Sequence, residues 1–224
     1  LRECLNALPA GDRATGILGA LSLVFWALGL VVCVKYLLFV MKADNRGEGG
    51  IFALLALTHA DRDKPTRTGL FTLLVLFGAA LLYGDGVITP AISVLGAVEG
   101  LKSIEPGYEH YIPAISCAVL GALFYFQYKG TQKIGHVFGP VMLVWFLTIG
   151  LVGLWHILAN PGILAAINPL HGLRLLLTQP GNAAVILGAV VLAVTGAEAL
   201  YADMGHFGRK YIALAWYGIA FPGL

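Results

Sequence analysis

Long runs of apolar residues, separated by short polar clusters, dominate the pattern along this chain. Uncharged runs such as 17–34, 69–84 and 111–128 approach or reach the roughly 20 residues with which a helix crosses a bilayer. The runs lack the alternation of polar and apolar residues that barrel strands show, so we predict helices and an all-α polytopic membrane protein. The predicted spans are residues 15–41, 69–100, 111–128, 136–158 and 182–204, with the start of another at 211.

Composition indicates the same class of protein. Hydrophobic residues make up 58% of the 224 residues and charged residues 12%, a balance that favours a bilayer over water as the solvent. The net charge of +2 provides no strong basic field, and no zinc-finger or RNA-binding pattern is present, so nucleic acid is excluded as a partner. Because the sequence has no nucleophile and base pair and no metal motif, we expect no enzymatic activity, no catalytic residues and no cofactor.

Lysine and arginine residues are distributed unequally between the two sides of the predicted spans. Nine of them fall on one side: Lys42, Arg46, Arg62, Lys64, Arg67, Lys129, Lys133, Arg209 and Lys210. The opposite side has Arg2, Arg13, Lys102 and Arg174. Positive residues favour cytoplasmic loops, so we predict that the first of these sides is cytoplasmic. This orientation puts Leu1 outside, and we therefore expect that a helix is missing before it and that residues 1–224 are part of one longer integral membrane transport domain.

Asp85 lies near the middle of an otherwise uncharged run, where an ionisable side chain is costly and marks a candidate functional site. At about 100° per residue, Thr89 and Ser93 fall roughly 40° and 80° round the helix from Asp85, so their three side chains share one face. Pro90 has no N–H and would leave the carbonyl of Gly86 without its helical partner. A carboxylate, two hydroxyls and a free carbonyl form an oxygen set that suits a hard cation.

Glu198 is the second clear case of an ionisable residue inside a predicted span, and Thr195 precedes it by three residues on the same face. If the helices of Asp85 and Glu198 pack together, the combined oxygen cluster prefers an alkali or alkaline-earth ion to a transition metal. Two such carboxylates would not both stay ionised in an empty site, because lost hydration and like charge each favour the protonated form. A proton can then replace the cation, although the sequence does not decide which carboxyl carries it.

Structural explanations stay open for each of these residues. An intramembrane acid can pair with a lysine or an amide of another helix, and intramembrane hydroxyls often bond back to their own helix. Pro90 and the neighbouring glycines can mark a packing kink. The glycine-rich segment 43–50 lacks the Gly-Lys-Ser/Thr ending of a phosphate loop, so Asp44 and Glu48 fit either a solvated loop or the inner mouth of a pathway.

Similarity to one known family extends over essentially the whole chain. Four stretches show it most clearly: residues 43–57, 84–101, 138–146 and 195–208. Together they resemble the potassium uptake permeases of the KUP/HAK/KT family. The resemblance implies roughly the first half of an amino-acid-permease-like fold of inverted repeats, with a site at broken helices near the membrane midplane. It implies potassium uptake, commonly with protons, across the plasma or inner membrane, and it leaves a homodimer open. The potassium ligands that it implies are Asp85, Thr89, Ser93, Thr195 and Glu198.

Two other transport functions stay open, a carrier of amino acids or other organic substrates on the same fold and a channel-like potassium pore. A potassium channel is expected to contain a filter such as Thr-Val-Gly-Tyr-Gly, which this sequence lacks. Acidic side chains at the predicted site favour a cation over a substrate carboxylate. We therefore predict a potassium and proton symporter. The first-helix motif and the later helices of the family are absent from residues 1–224, so we expect that this segment alone does not transport.

Overall fold

The computed structural model describes residues 13–58, 69–103, 106–128 and 131–224. Regular secondary structure in these ranges is helical, apart from an isolated β-bridge between Asn45 and Glu48. Five helical stretches in the described part are long and apolar enough to cross a membrane: Ala14–Lys42, Thr72–Lys102, Gly107–Phe126, Phe138–Ala159 and Ala183–Ala202. The prediction of an all-α polytopic membrane protein is confirmed.

The α-helices are numbered in chain order. They are α1 Arg13–Leu28, α2 Ile51–Thr58, α3 Leu70–Glu99, α4 Ile112–Tyr128, α5 Thr131–Ala159, α6 Pro169–Thr178, α7 Ala183–Val194, α8 Ala199–Ala202, α9 Met204–Phe207, α10 Arg209–Ala215 and α11 Phe221–Gly223. Two π-helical stretches, Gly29–Phe39 and Trp216–Ala220, directly follow α1 and α10. Short 3₁₀ turns complete the chain at Val40–Lys42, Gly100–Ser103, Pro106–Tyr111 and Pro161–Ile167.

The chain divides into two compact units. The described residues of the first unit lie within Leu1–Asp61 and Phe146–Leu224. Within it, α1 packs on α6 and α7 around a buried cluster to which Ala20 and Ile186 belong, both fully buried. The absence of a side chain at Gly19 permits this approach, since a Cβ there would lie 2.7 Å from the Cβ of Leu175. Small residues allow the close backbone contact on which helix association in membranes depends.

Helix α6 lies between two predicted spans, 136–158 and 182–204, in a segment for which the sequence indicated no span. At ten residues it is too short to cross a bilayer, so the search for long apolar runs missed it. Asn168 caps the helix by accepting a hydrogen bond from the Leu170 N–H at 3.0 Å. The Ser22 hydroxyl of α1 donates to the Asn168 carbonyl at 2.9 Å, which ties the start of α6 to the first span.

The second compact unit is Arg62–Trp145, and its described part is organised around the packing of α3 on α4. Helix α3 has 30 residues, equivalent to about 45 Å at 1.5 Å per residue, and therefore exceeds the hydrocarbon thickness of a bilayer. The turn that joins the two helices has an ion pair, with Lys102 Nζ 2.9 Å from Glu109 Oε1. Both partners are exposed, so this ion pair contributes little stability.

Candidate functional site

Asp85 and Thr89 contact each other directly on α3. The Thr89 hydroxyl donates a hydrogen bond of 2.8 Å to Asp85 Oδ1, and both residues are half-buried. This contact confirms that the two side chains share one helical face. A hydroxyl that donates its hydrogen still has lone pairs free to accept, so both residues present oxygen to the same point beside the helix.

Pro90 lies inside α3, and the helix continues through it from Leu70 to Glu99. Because proline has no N–H, the carbonyl of Gly86 lacks the donor that would complete the ladder at this position. Ser93 follows one turn later and is exposed. The structure thus places Asp85, Thr89 and Ser93 on one uninterrupted helix, and a role of the three as ion ligands stays a prediction.

The fifth predicted span, 182–204, is broken in its middle, which corrects its interpretation as one helix. α7 ends at Val194 and α8 begins at Ala199, with four residues between them outside the α-helical pattern. Thr195 is extended, with ψ of 141°, and Gly196 has φ of +90°, a conformation that L side chains rarely adopt. Glu198 is the last residue before α8.

The break changes the hydrogen bonds of the backbone around it. The amides of Thr195 and Ala197 donate to Leu192 and Val194, three residues back, instead of to carbonyls four residues back. The carbonyls of Val191 and Ala193 therefore lose their regular amide donors. The Thr195 hydroxyl replaces one of these donors, because it donates to the Val191 carbonyl at 3.1 Å. This bond is the back-bonding alternative raised for threonine from the sequence, and the lone pairs of the same hydroxyl stay available for a ligand.

The Glu198 carboxylate folds back over the break. Its Oε1 accepts a hydrogen bond of 3.3 Å from the Gly196 N–H, and the residue is half-buried. The neighbouring Ala197 is 8% exposed and belongs to a buried cluster with Val32 and Leu37 of the π-helical stretch Gly29–Phe39. The break is thus packed against the first span, and it presents a carboxylate, a hydroxyl and carbonyls freed from the helical ladder.

The five predicted ligands fall into two groups. Asp85, Thr89 and Ser93 belong to the second unit, while Thr195 and Glu198 belong to the first. Each group offers oxygen atoms and no sulfur or imidazole, a donor set that suits alkali and alkaline-earth cations. The approach of the two carboxylates to each other stays a prediction.

The carbonyls of the break are candidate ligands that the inspection of side chains missed. Pro90 predicted a freed carbonyl at Gly86, and the sequence named no other. The feature of the sequence that could have indicated the break is Gly196, two residues before Glu198, because a glycine can adopt the positive φ that ends a helix. Glycines are common in membrane helices, so this signal on its own does not identify a break.

A family model described as the K+ potassium transporter integral membrane domain matches residues 1–224. A probable potassium transport system protein Kup of Methylococcus capsulatus is 55% identical over 208 residues, covering 93% of this chain and 33% of that protein. A protein of the same description from Anaeromyxobacter dehalogenans is 54% identical over 228 residues, covering 100% of this chain and 34% of that protein.

The probable potassium transport system protein Kup 2 of Syntrophobacter fumaroxidans is 51% identical over 227 residues, covering 100% of this chain and 36% of that protein. The chain therefore spans about a third of the length of the curated relatives that it matches. No solved structure matches the chain.

Proposed function

The chain belongs to the K+ potassium transporter family, and we propose that it is part of a secondary transporter that carries potassium into the cell together with protons. Membership confirms the resemblance found in the sequence, and the chain is an integral membrane protein of the cell membrane. We also propose that residues 1–224 form the N-terminal part of a longer domain with an amino-acid-permease-like, inverted-repeat fold. The chain covers about a third of each relative, which supports a longer protein, so the tests below use the full-length protein.

The break at residues 195–198 is the observation that supports the proposal most directly. A helix interrupted in its apolar middle exposes backbone oxygens where lipid offers them no partner, which is tolerated only where they line a protein cavity or a ligand site. Here the interruption contains Glu198 and Thr195, whose hydroxyl donates to the Val191 carbonyl. An acid and freed carbonyls at one point suit a monovalent cation that has lost its water.

Asp85 supplies the second acid of the proposed site. Its hydrogen bond to Thr89 holds the carboxylate in one rotamer, so little side-chain freedom is lost when a cation binds. We propose that Asp85, Thr89, Ser93, Thr195 and Glu198 are the residues that coordinate potassium during translocation.

Proton coupling follows from the charge of this site. With one potassium ion bound, two carboxylates still leave one uncompensated negative charge in a weakly polar environment. Uptake of a proton by one carboxyl neutralises the loaded site, so potassium and proton bind together. Potassium and proton would then move in one cycle, with the carboxyl group as the carrier of the proton.

The test is rubidium uptake into liposomes that contain the purified full-length protein, measured with and without an inward proton gradient. A permeant anion dissipates the membrane potential in both arms, so that only the proton gradient differs. We expect saturable uptake that the gradient stimulates several-fold and that potassium, but not amino acids, inhibits. Protein-free liposomes and addition of a protonophore are the controls.

Three other results of this assay would each contradict part of the proposal. Uptake that is unchanged by the proton gradient and by the protonophore would contradict the proposed coupling to protons. Uptake that rises linearly with rubidium concentration would indicate a pore. Inhibition by amino acids without inhibition by potassium would indicate an organic-substrate carrier.

A further inference from the structure

The 43–50 loop, which follows the first span, has a defined fold of its own. Asp44 Oδ2 accepts a hydrogen bond of 3.0 Å from the Gly47 N–H, and the backbones of Asn45 and Glu48 exchange bonds of 2.9 and 3.1 Å. Arg46 and Gly47 both have positive φ, at 58° and 88°, as two central residues of a tight turn require. The loop therefore forms a small, internally bonded platform rather than an open connection.

Tyr201 of α8 is docked on this platform. The residue is 4% exposed and belongs to the same buried cluster as Leu37 and Met41 of the first span. Its hydroxyl donates a hydrogen bond to the carbonyl of Ala43, the first residue of the loop. A large aromatic side chain with a satisfied hydroxyl at its tip fixes both the depth and the direction of the helix that bears it.

The backbone of residues 199–205 approaches the loop at two further points. A Cβ at Gly49 would collide with the Tyr201 carbonyl oxygen, so only glycine allows this contact. A Cβ at Gly205 would lie 3.9 Å from the Cβ of Glu48, an ordinary contact distance. The segment that follows Glu198 is thus held on the 43–50 loop on both sides of Ala202.

Glu198 and Tyr201 lie one turn apart. The Tyr201 N–H donates to the Glu198 carbonyl at 3.1 Å, so a movement of Tyr201 also moves the turn that carries the acid. Because the break at residues 195–198 interrupts the helical ladder, α7 does not hold this turn rigidly. Its orientation depends on the contacts that α8 makes elsewhere, and the hydrogen bond from Tyr201 to Ala43 of the 43–50 loop is one of these.

We propose that Tyr201 is a positioning residue of the transporter: through the hydrogen bond to Ala43 it fixes α8 on the 43–50 loop and so holds Glu198 at the ion site. This proposal rests on the proposed function, since it assigns Tyr201 a part in potassium binding through Glu198. It gives the loop a role in ion affinity, although no residue of the loop is assigned to the ion site.

The first test is Tyr201→Phe in the full-length protein, with the Michaelis constant and the maximal rate of rubidium uptake normalised to protein in the membrane. We expect the Michaelis constant to rise about 5-fold, the equivalent of one neutral hydrogen bond, with the maximal rate per molecule largely kept. Tyr211→Phe is the matched control, because Tyr211 is 69% exposed, and it should leave both constants unchanged. A merely structural role would lower the amount of protein and leave the Michaelis constant unaltered, which would overturn the proposal.

The second test restores the docking by a covalent bond. A Cβ at Gly205 would lie 3.9 Å from the Cβ of Glu48. In disulfides the two Cβ atoms are about 3.8 Å apart on average. We therefore expect Glu48→Cys with Gly205→Cys to cross-link on oxidation, with each single variant as the control for the native cysteines. Added to Tyr201→Phe, the oxidised pair should return the Michaelis constant toward the wild-type value, and reduction should reverse this. A cross-link that forms without restoring it would overturn the proposal.

The cross-link also separates this proposal from the proposed function. If the wild-type protein takes up no rubidium, the proposed function fails, while the yield of the Glu48→Cys, Gly205→Cys disulfide still reports the docking. A lower yield with Tyr201→Phe would support the hydroxyl as the group that holds α8 on the loop. An equal yield with and without the hydroxyl would overturn that assignment.

Discussion

Replacement of Asp85 by asparagine removes one negative charge from the proposed ion site and changes the local shape little. Asparagine keeps an oxygen at the position of Oδ1, so the Thr89 hydroxyl can still donate the hydrogen bond that is 2.8 Å long in the native protein. Helix α3 is otherwise unaltered, and membrane insertion should be normal. The variant therefore isolates the contribution of charge.

The size of the effect follows from Coulomb's law. A unit charge about 4 Å from a monovalent cation contributes about 4 kcal/mol at an effective dielectric constant of about 20. Asp85 is half-buried, and the asparagine oxygen keeps part of the attraction to the cation. The loss of binding free energy is therefore expected to lie between about 2 and about 4 kcal/mol. At about 1.4 kcal/mol per factor of ten, potassium affinity should fall about 30-fold to 1000-fold.

Growth of an uptake-deficient host on limiting potassium measures this loss in cells, and rubidium uptake in liposomes measures it directly. Asp85→Asn should abolish growth on limiting potassium while the amount of protein in the membrane stays at the wild-type level. Glu99→Gln is the matched control, because it removes an exposed acid at the end of the same helix. Wild-type growth of Asp85→Asn, or an equal loss with Glu99→Gln, would refute the assignment of Asp85 to the ion site.

Three further predictions concern the break and its surroundings. Glu198→Gln should weaken uptake and flatten its dependence on external pH, and an unchanged pH profile would count against its part in proton coupling. Gly196→Ala should destabilise the protein by about 1–3 kcal/mol, since φ is +90° there, whereas Gly188→Ala in α7 meets open space and should not lower the melting temperature. Asn168→Ala removes the cap of α6 and should cost about 1 kcal/mol in thermal unfolding, with unaltered rubidium uptake; no change in melting temperature would argue against the cap.

The spans could be predicted from the sequence because their cause is local. A run of apolar residues must find lipid or protein contacts along its whole length, and its ends are set by the first charged or polar cluster. The predicted span 69–100 accordingly differs by one residue at each end from Leu70–Glu99. Helix α6 escaped this reasoning because ten residues are too few to cross a bilayer.

The break and its docking depend on contacts that no local pattern contains. Residues 183–202 form a largely apolar run apart from the acid, and its two glycines are compatible with a continuous helix. The contact between Tyr201 and Ala43 joins residues 158 positions apart, and a sequence pattern does not indicate which distant carbonyl a tyrosine will meet. Side-chain chemistry identified Glu198, but its relation to a helix end and to the 43–50 loop required the three-dimensional structure.

The π-helical stretch Gly29–Phe39 has a consequence for experiments that map which residues face lipid. Each π turn contains more residues than an α turn, so successive side chains rotate by less than 100° about the axis. A helical wheel drawn for an ordinary α-helix accumulates this angular error over 11 residues and assigns the wrong azimuth to positions near Phe39. Spin-label or cysteine-accessibility scans across the first span should therefore show a period longer than 3.6 between Gly29 and Phe39.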